Sequence, residues 1–430
     1  MLVGIRDGRL QKALLSTLAM FCNKFFQVFV TVFTMPILLN YLGVNEFGVY
    51  ISLQTFFLWL LFDNGISEAA KNFLVEALIT NNEQYIRRIV SSSVFLLLVF
   101  STVVVGCAYI AFDIVFTLDV IKLQTLNIIL IIVWLYIPIR VVREISTALQ
   151  KGYIYSNYLN LSALINFIVV VIGVEKNYSL DFFLLGSISS IFLSHIVCFL
   201  HLILNLSRSF LPSYREVDIK LVREMLPVSV NYFMIGIFLM LINNVDLVII
   251  NKYLGSDQAA EFSFIFRLVV YGATFASFFS YPLWPAITDS IKRNDGVWRK
   301  KAVKKLILFS LLYSLLVSLS LSLFGSFLVS FWSSNLISIS YMLCFILSAY
   351  LFVKINTNVI STVLKAYGVV KQQTIPTILE ALLHITLCIF LGDRYGLEGY
   401  AIGILLSAFF GRSLCLLYLF FKVEMSWKRR

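Results

Sequence analysis

Charged residues are scarce in this sequence. Asp, Glu, Lys and Arg make up 13% of the 430 residues, whereas apolar types make up 60% and the mean hydropathy is +0.90. A soluble domain needs a largely polar surface, and this chain lacks the residues to cover one. The composition therefore excludes an ordinary soluble protein and favours a chain that lies in a lipid bilayer.

Motifs for catalysis, metal binding and nucleic-acid binding are also missing. The six cysteines form no CxxC pair, and the three histidines give no metal-ligand spacing. There is no Walker motif, no HExxH and no nucleophile elbow. The net charge of +11 is spread between apolar runs and forms no basic domain outside them. We therefore expect no enzyme activity, no metal or other cofactor, and no nucleic-acid partner.

Long apolar runs recur along the whole chain. About 20 helical residues cross a bilayer core of roughly 30 Å. Because unpaired backbone groups cannot face lipid, and the alternation of a transmembrane barrel is absent, these runs predict helices. We predict an all-α polytopic membrane protein with about twelve transmembrane helices, at residues 13–39, 46–62, 89–111, 123–142, 154–173, 181–205, 227–250, 258–285, 303–330, 337–360, 373–391 and 398–421.

Lys and Arg are distributed unevenly among the connections. They collect at both termini and in every second connection, including 63–88, 206–226 and 286–302, whereas the intervening connections hold one or none. Cytoplasmic loops of membrane proteins carry such an excess, so both termini are predicted to be cytoplasmic. Within the first of these connections, Asn64 to Val90 predicts an interfacial helix with Asp63 as its cap.

The chain repeats itself weakly. Asn40–Gly43 recurs as Lys252–Gly255, and Thr147–Gln150 resembles Thr362–Lys365 at nearly the same separation. An even number of helices in each half places both halves in the same orientation. We therefore predict two six-helix lobes around a central cavity, at residues 1–205 and 227–430, joined by a cytoplasmic linker at 206–226.

Several short motifs resemble a known family. They are Pro36–Gly43 with Phe47–Tyr50, then Asp63–Ile66, and an echo in the second half at Asp246–Ile250 and Tyr253–Gly255. These residues are similar to the first helical hairpin of Wzx-type polysaccharide flippases. That superfamily also contains the multidrug (MATE) exporters and the lipid II flippase. The lipid II branch usually has fourteen helices, so a count of twelve favours the polysaccharide branch.

The resemblance implies a function and a location. It implies two lobes that alternate between inward-open and outward-open states in the inner membrane of a bacterium. The expected substrate is an undecaprenyl-diphosphate-linked oligosaccharide, such as an O-antigen repeat unit, surrounded by membrane lipids. A polysaccharide polymerase and a chain-length regulator are the expected protein partners.

Four cations lie inside the predicted spans and away from their ends: Lys24, Arg267, Lys354 and Arg412. Placing Lys or Arg in the middle of a membrane helix costs about 2.5–3.5 kcal/mol on insertion scales, so such residues usually have a function. A diphosphate needs countercharge to cross hydrocarbon. We therefore expect these four residues to contact substrate.

Polar neighbours share helix faces with these cations. Gln27 and Thr31 follow Lys24, Tyr271 follows Arg267, and Asn358 follows Lys354, each at helical spacing. We expect them to line the cavity. The residues before Arg412 form a stripe of small side chains that is more typical of helix packing: Gly399, Gly403, Ser407 and Gly411.

Two acids within the spans, Asp246 and Glu380, allow two interpretations. Either could bind a proton or Na⁺ and couple transport to an ion gradient, and His384 lies one turn after Glu380. Alternatively each forms a structural ion pair, Asp246 with Arg267 and Glu380 with Lys354.

Two other functions compete with the flippase hypothesis. An ion-coupled exporter of cationic drugs would have the same fold, but the predicted cavity is predominantly cationic. A membrane polysaccharide polymerase or glycosyltransferase usually has a large extracytoplasmic loop, and every outward connection here is short.

Overall fold

A computed structural model describes residues 2–61, 67–79, 82–116, 121–149, 151–205, 207–280, 283–292 and 295–428. Within these ranges the chain is helical and contains no strand. The helices are α1 (Leu2–Leu60), α2 (Glu68–Ile79), α3 (Glu83–Phe116), α4 (Leu123–Ile139), α5 (Val141–Ala148), α6 (Gly152–Glu175), α7 (Leu180–Asn205), α8 (Ile219–Asn244), α9 (Asp246–Tyr253), α10 (Ser256–Ser280), α11 (Leu283–Lys292), α12 (Gly296–Trp332), α13 (Tyr341–Ala366), α14 (Thr374–Leu406), the π-helical segment Ser407–Ser413 and α15 (Leu414–Lys428).

The predicted class, an all-α polytopic membrane protein, is confirmed. Within the described residues, nine helices are long and apolar enough to cross a membrane. The number is ten if the end of α8, from Gly236, and α9 form one span bent by 52°.

Two of these nine are too long for a single crossing. One runs for 40 residues from Phe21 to Leu60 and the other for 55 residues from Lys371 to Met425. At 1.5 Å per residue the shorter one reaches roughly 60 Å, twice a hydrocarbon core. Each bends at a glycine with positive φ, Gly43 (78°) and Gly396 (63°), a conformation that residues with a Cβ rarely adopt. Each contains two of the predicted spans, and the total of twelve crossings stays a prediction.

The chain divides into two compact units. Unit 1 comprises Met1–Leu42 and Leu53–Ile237, and unit 2 comprises Gly43–Ser52 and Phe238–Arg430. The short segment after the Gly43 bend therefore packs with the second half of the chain. The arrangement of two six-helix lobes in the membrane stays a prediction. It comprises the lobes 1–205 and 227–430 and the linker 206–226.

In unit 1, α2 covers only part of the interfacial helix predicted over Asn64–Val90, since Glu83–Val90 belong to α3; its position at the membrane surface stays a prediction. Leu74 and Ala77 of α2 are fully buried, and the helix packs against α3 and α5. Glu144 on α5 is also buried and lies 4.0 Å from the Lys71 ammonium. The proposed cap, Asp63, lies outside the described residues.

In unit 2, large aromatic side chains fill the interior between α10, α13 and α14. Phe262, Phe264, Tyr350 and Tyr400 are almost fully buried. By contrast, α12 exposes a row of apolar side chains, including Leu316 and Leu323. A bilayer tolerates such exposure, because lipid tails are as apolar as leucine.

Candidate substrate site

A polar pocket lies within unit 2. It has a volume of about 280 Å³ and is lined by α8, α10, α13, α14 and the π-helical segment. Three cations, Lys354, Lys365 and Arg412, line it together with one carboxylate, Glu380. The remaining polar lining consists of hydroxyls and carboxamides, from Asn243, Ser277, Ser280, Thr357, Asn358, Ser361 and Thr362.

Lys354 is held by neutral groups. Its ammonium donates to the Tyr350 hydroxyl at 2.9 Å and to Asn243 Oδ1 at 3.4 Å. It also lies 5.0 Å from the centre of the Tyr350 ring and 5.6 Å from that of Phe266. These partners position the cation without neutralising it. Among the described residues no ion pair joins Lys354 to Glu380, which lies closer to Arg412, although the Glu380 charge still acts on Lys354.

Arg412 is the partner of Glu380. One guanidinium nitrogen lies 3.7 Å from Glu380 Oε2, and another donates to the Ser361 hydroxyl at 3.4 Å. Glu380 is 6% exposed, and neither its Oε2 nor Arg412 Nε has a hydrogen-bond partner within the described residues. The two charged groups therefore lie close enough to attract each other, but they do not form a well-aligned, hydrogen-bonded salt bridge. Part of the Arg412 donor capacity remains for a ligand.

The fold brings this pair together through small residues. A Cβ at Gly411 would lie 2.5 Å from the Glu380 Cα, and one at Gly403 would lie 2.7 Å from the Cys388 amide nitrogen. The stripe Gly399 to Gly411 therefore allows the end of α14 and the π-helical segment to contact the start of α14 closely. The predicted packing role of this stripe is confirmed.

Asp246, at the start of α9, belongs to a separate buried cluster. Its Oδ1 accepts a hydrogen bond from the Tyr400 hydroxyl at 2.9 Å and lies 2.8 Å from His384 Nε2. Its Oδ2 has no hydrogen-bond partner within the described residues. The alternative pairing of Asp246 with Arg267 is therefore wrong. Sequence reasoning placed His384 one turn after Glu380 but missed Tyr400, because nothing in a local pattern relates it to α9.

Two of the predicted site residues on α10 lie outside the pocket lining. Arg267 is half-buried and makes no hydrogen bond or ion pair with the part of the chain that the structure describes. Tyr271 is also half-buried. Of the predicted residues in the second half, the pocket gathers Lys354, Arg412, Asn358 and Glu380.

A carboxamide cluster occupies unit 1, where α1 contacts α6. Asn23 Nδ2 donates to Asn157 Oδ1 at 2.9 Å, Asn160 Nδ2 donates to Asn23 Oδ1 at 2.7 Å, and Gln27 Nε2 donates to Asn160 Oδ1 at 3.4 Å. Lys24 is exposed next to this cluster. The Thr31 hydroxyl donates instead to the carbonyl of Gln27 at 2.8 Å, within its own helix.

Sequence reasoning found Gln27 but missed the three asparagines. The available signal was the pair Asn157 and Asn160, which lie three residues apart in a largely apolar helix and therefore share a face.

Solved transporter structures share this fold. An inward-facing multidrug resistance MATE family transporter of the MOP superfamily matches with a TM-score of 0.72 at 15% identity, covering 94% of this chain and 96% of the other. The lipid II flippase MurJ, in an inward closed conformation, matches at 0.74 and 15% identity, covering 94% and 87%. A MOP superfamily transporter from Pyrococcus furiosus, described by a binding pocket of reversed polarity, matches at 0.60 and 15% identity, covering 96% and 95%.

These likenesses define the class: the protein has the fold of the superfamily that contains MATE transporters and MurJ. The profile of the Polysaccharide biosynthesis protein family matches residues 10–291, and the chain belongs to that family. Among curated protein sequences, none matches this chain. The predicted family resemblance is thereby confirmed.

Proposed function

We propose that this protein is a flippase for an undecaprenyl-diphosphate-linked oligosaccharide, such as an O-antigen repeat unit. It would carry the substrate from the cytoplasmic to the outer leaflet of a bacterial inner membrane by alternating access, without covalent chemistry. The observation that carries the proposal is the pocket of unit 2, where three cations face one carboxylate.

The charge balance of the pocket suits a diphosphate. Glu380 partly neutralises Arg412, whereas the described contacts of Lys354 are neutral. At reduced dielectric, an ammonium without a direct salt-bridge partner attracts an anion strongly. The same surplus of positive charge repels the cationic drugs expected of a multidrug exporter. The pocket therefore favours the flippase over that alternative.

The carboxamide cluster of unit 1 suits the glycan. Carboxamides both donate and accept hydrogen bonds, as sugar hydroxyls do. Asn157 is exposed, and its Nδ2 donates to no group within the described residues. We propose that this cluster contacts sugar hydroxyls. The exported glycan would then pass to a polymerase, which acts with a chain-length regulator.

The test is translocation of a fluorescent lipid-diphosphate oligosaccharide in proteoliposomes. We expect Lys354→Ala to slow translocation about tenfold or more, corresponding to at least ~1.4 kcal/mol in activation free energy. Lys354→Arg should retain more activity, since a diphosphate chiefly needs positive charge. Lys371→Ala removes the same charge from an exposed site outside the pocket and serves as the matched control.

Further variants test the glycan contacts and the cations outside the pocket, and a dye assay tests the drug-exporter alternative. Asn157→Leu should slow translocation of the glycosylated lipid more than that of the sugar-free lipid diphosphate. Lys24→Ala and Arg267→Ala test the two cations outside the pocket. Unchanged translocation by both Lys354→Ala and Arg412→Ala would refute the pocket assignment, and efflux of a cationic dye by the wild type would favour the drug exporter.

A further inference from the structure

A second concave site lies in unit 2, and it shares no lining residue with the cationic pocket. It is a groove of about 520 Å³ formed by α10, α11 and α12. Its lining is mostly apolar, with two lysines: Phe279, Leu283, Trp298, Lys301, Ala302, Lys305, Leu306 and Phe309. We call it the α12 groove.

The apolar part of the α12 groove is built on a rigid aromatic cluster. The rings of Phe279 and Phe309 pack edge-on with their centres 4.8 Å apart, and Phe309 also stacks with Tyr313 at 6.3 Å. The Tyr313 hydroxyl donates to the Gly272 carbonyl at 3.0 Å, which joins α12 to α10. Phe279 and Phe309 nevertheless remain 48% and 44% exposed. The groove is therefore preformed and has an apolar surface to bury.

The polar end of the groove is cationic. Lys301 and Lys305 lie one turn apart on α12 and share a face with Trp298. Both lysines are exposed, and neither forms an ion pair or hydrogen bond within the described ranges. Beyond Lys305 the helix carries no charged residue as far as Trp332, which predicts that this end lies where a membrane meets water. Trp298 has the amphipathic side chain that is enriched at that depth.

We propose that the α12 groove binds an anionic glycerophospholipid. An acyl chain lies against Phe279 and Phe309, and the phosphate lies between the ammonium groups of Lys301 and Lys305. Basic pockets between membrane helices bind anionic headgroups, and Lys side chains near an anionic surface strengthen that attraction. The two lysines match the phosphate of one phospholipid, and the apolar wall of the groove matches its acyl chain. The predicted depth of the groove in the bilayer is that of a lipid headgroup. This site is independent of the flippase proposal.

The experiment compares lipid binding to the full-length protein by native mass spectrometry. Phosphatidylglycerol and phosphatidylcholine with identical acyl chains are the probes. We expect the wild type to retain phosphatidylglycerol preferentially. The double variant Lys301→Gln/Lys305→Gln should lower its affinity for phosphatidylglycerol about tenfold or more at low salt.

A matched double variant on the same helix controls for net charge. Lys300 and Lys304 are exposed but do not line the groove, so Lys300→Gln/Lys304→Gln should leave the affinity within about twofold of wild type. Ala302→Phe fills the groove and should lower the binding of both lipids. Thermal unfolding of each variant shows whether it is folded.

Three outcomes would overturn the proposal. Equal loss in the two lysine double variants would show only a general charge effect. Equal affinity for phosphatidylcholine and phosphatidylglycerol in the wild type would leave the lysines without a role. Displacement of phosphatidylglycerol from the groove by equimolar undecaprenyl phosphate would assign the groove to the substrate tail instead.

Discussion

At the scale of single residues, Glu380 determines how much net positive charge the pocket carries. It is the one carboxylate among the described lining residues and lies 3.7 Å from Arg412. Removing it would free a second cation for substrate but would leave Arg412 without its counterion in a partly buried site. Stability and substrate affinity therefore depend on this carboxylate in opposite directions.

We expect Glu380→Gln to lower the free energy of unfolding by about 2 kcal/mol. This is less than the ~3–5 kcal/mol typical of breaking a fully buried pair, because the pair is long and the pocket is open to water. Arg412→Met together with Glu380→Gln should recover most of this loss, which a double-mutant cycle on thermal stability measures. Translocation should not recover in the double variant. Additive losses would show that the two groups do not interact.

Tyr367 lies between the membrane-spanning segments and has a perturbed acidity. Burial, then its hydrogen bond to the Glu424 carboxylate, raises the pKa of its phenol well above the usual 10. The Arg299 guanidinium, 5.7 Å from its ring centre, opposes this shift. Because the folded-state pKa of Tyr367 is raised, the associated stability is present below pH 10 and is lost only as pH rises through the higher pKa.

The difference between absorbance titrations of wild type and Tyr367→Phe should show a phenol that ionises at higher pH than free tyrosine. A difference curve centred at or below pH 10 would contradict this.

The site residues differ in how well sequence could predict them. Lys354 and Arg412 were found because a cation inside an apolar span is costly and hence conspicuous. The partners of Asp246 were not found, since they lie on α14, 138 and 154 positions along the chain. Such contacts depend on how helices pack, and no local spacing encodes that.

At the scale of helices, the small residues of α14 decide how the site is assembled. The bend at Gly396 returns the chain so that Gly403 and Gly411 face the first part of the same helix. This contact positions Tyr400 and Arg412 against residues of the first part, Cys388 and Glu380 respectively. The sequence predicted the parts of the chain before and after Gly396 as separate spans. It also predicted the stripe Gly399 to Gly411 as a packing surface. The π-helical segment Ser407–Ser413 was not predicted from the sequence.

We expect Gly403→Ala to destabilise the protein by about 1–3 kcal/mol. The added Cβ would overlap backbone atoms of Cys388 and Leu387, which cannot move as a flexible side chain can. Gly106→Ala, within α3, is the matched control, because a Cβ there has nothing within 4 Å. It should be neutral or stabilise by up to ~1 kcal/mol through helix propensity. The measurement is the thermal unfolding midpoint in detergent, and equal midpoints for the two variants would contradict the packing argument.

At the scale of the whole molecule, hydropathy was enough to predict a helical membrane protein, because helices alone satisfy the backbone in lipid without closing a barrel. Hydropathy also placed the breaks in the two longest helical stretches: the predicted connections 40–45 and 392–397 contain Gly43 and Gly396, where the backbone leaves the helical conformation. The division of the chain into units was harder to predict. Gly43–Ser52 packs with unit 2, and a sequence-based boundary cannot assign an early segment to a later unit.

The orientation of α12 gives the most direct test of the membrane topology. This helix runs for 37 residues from Gly296 to Trp332, and its basic residues are confined to the first turns. The excess of Lys and Arg there predicts that its start is cytoplasmic and its end is on the far side. Reporter fusions at Asn294 should therefore report the cytoplasm, and fusions at Ser334 and Asp393 the opposite side. A fusion after Lys371 should again report the cytoplasm and controls for general failure of export. A cytoplasmic signal at Ser334 would break the twelve-crossing topology, because every later crossing would then be inverted.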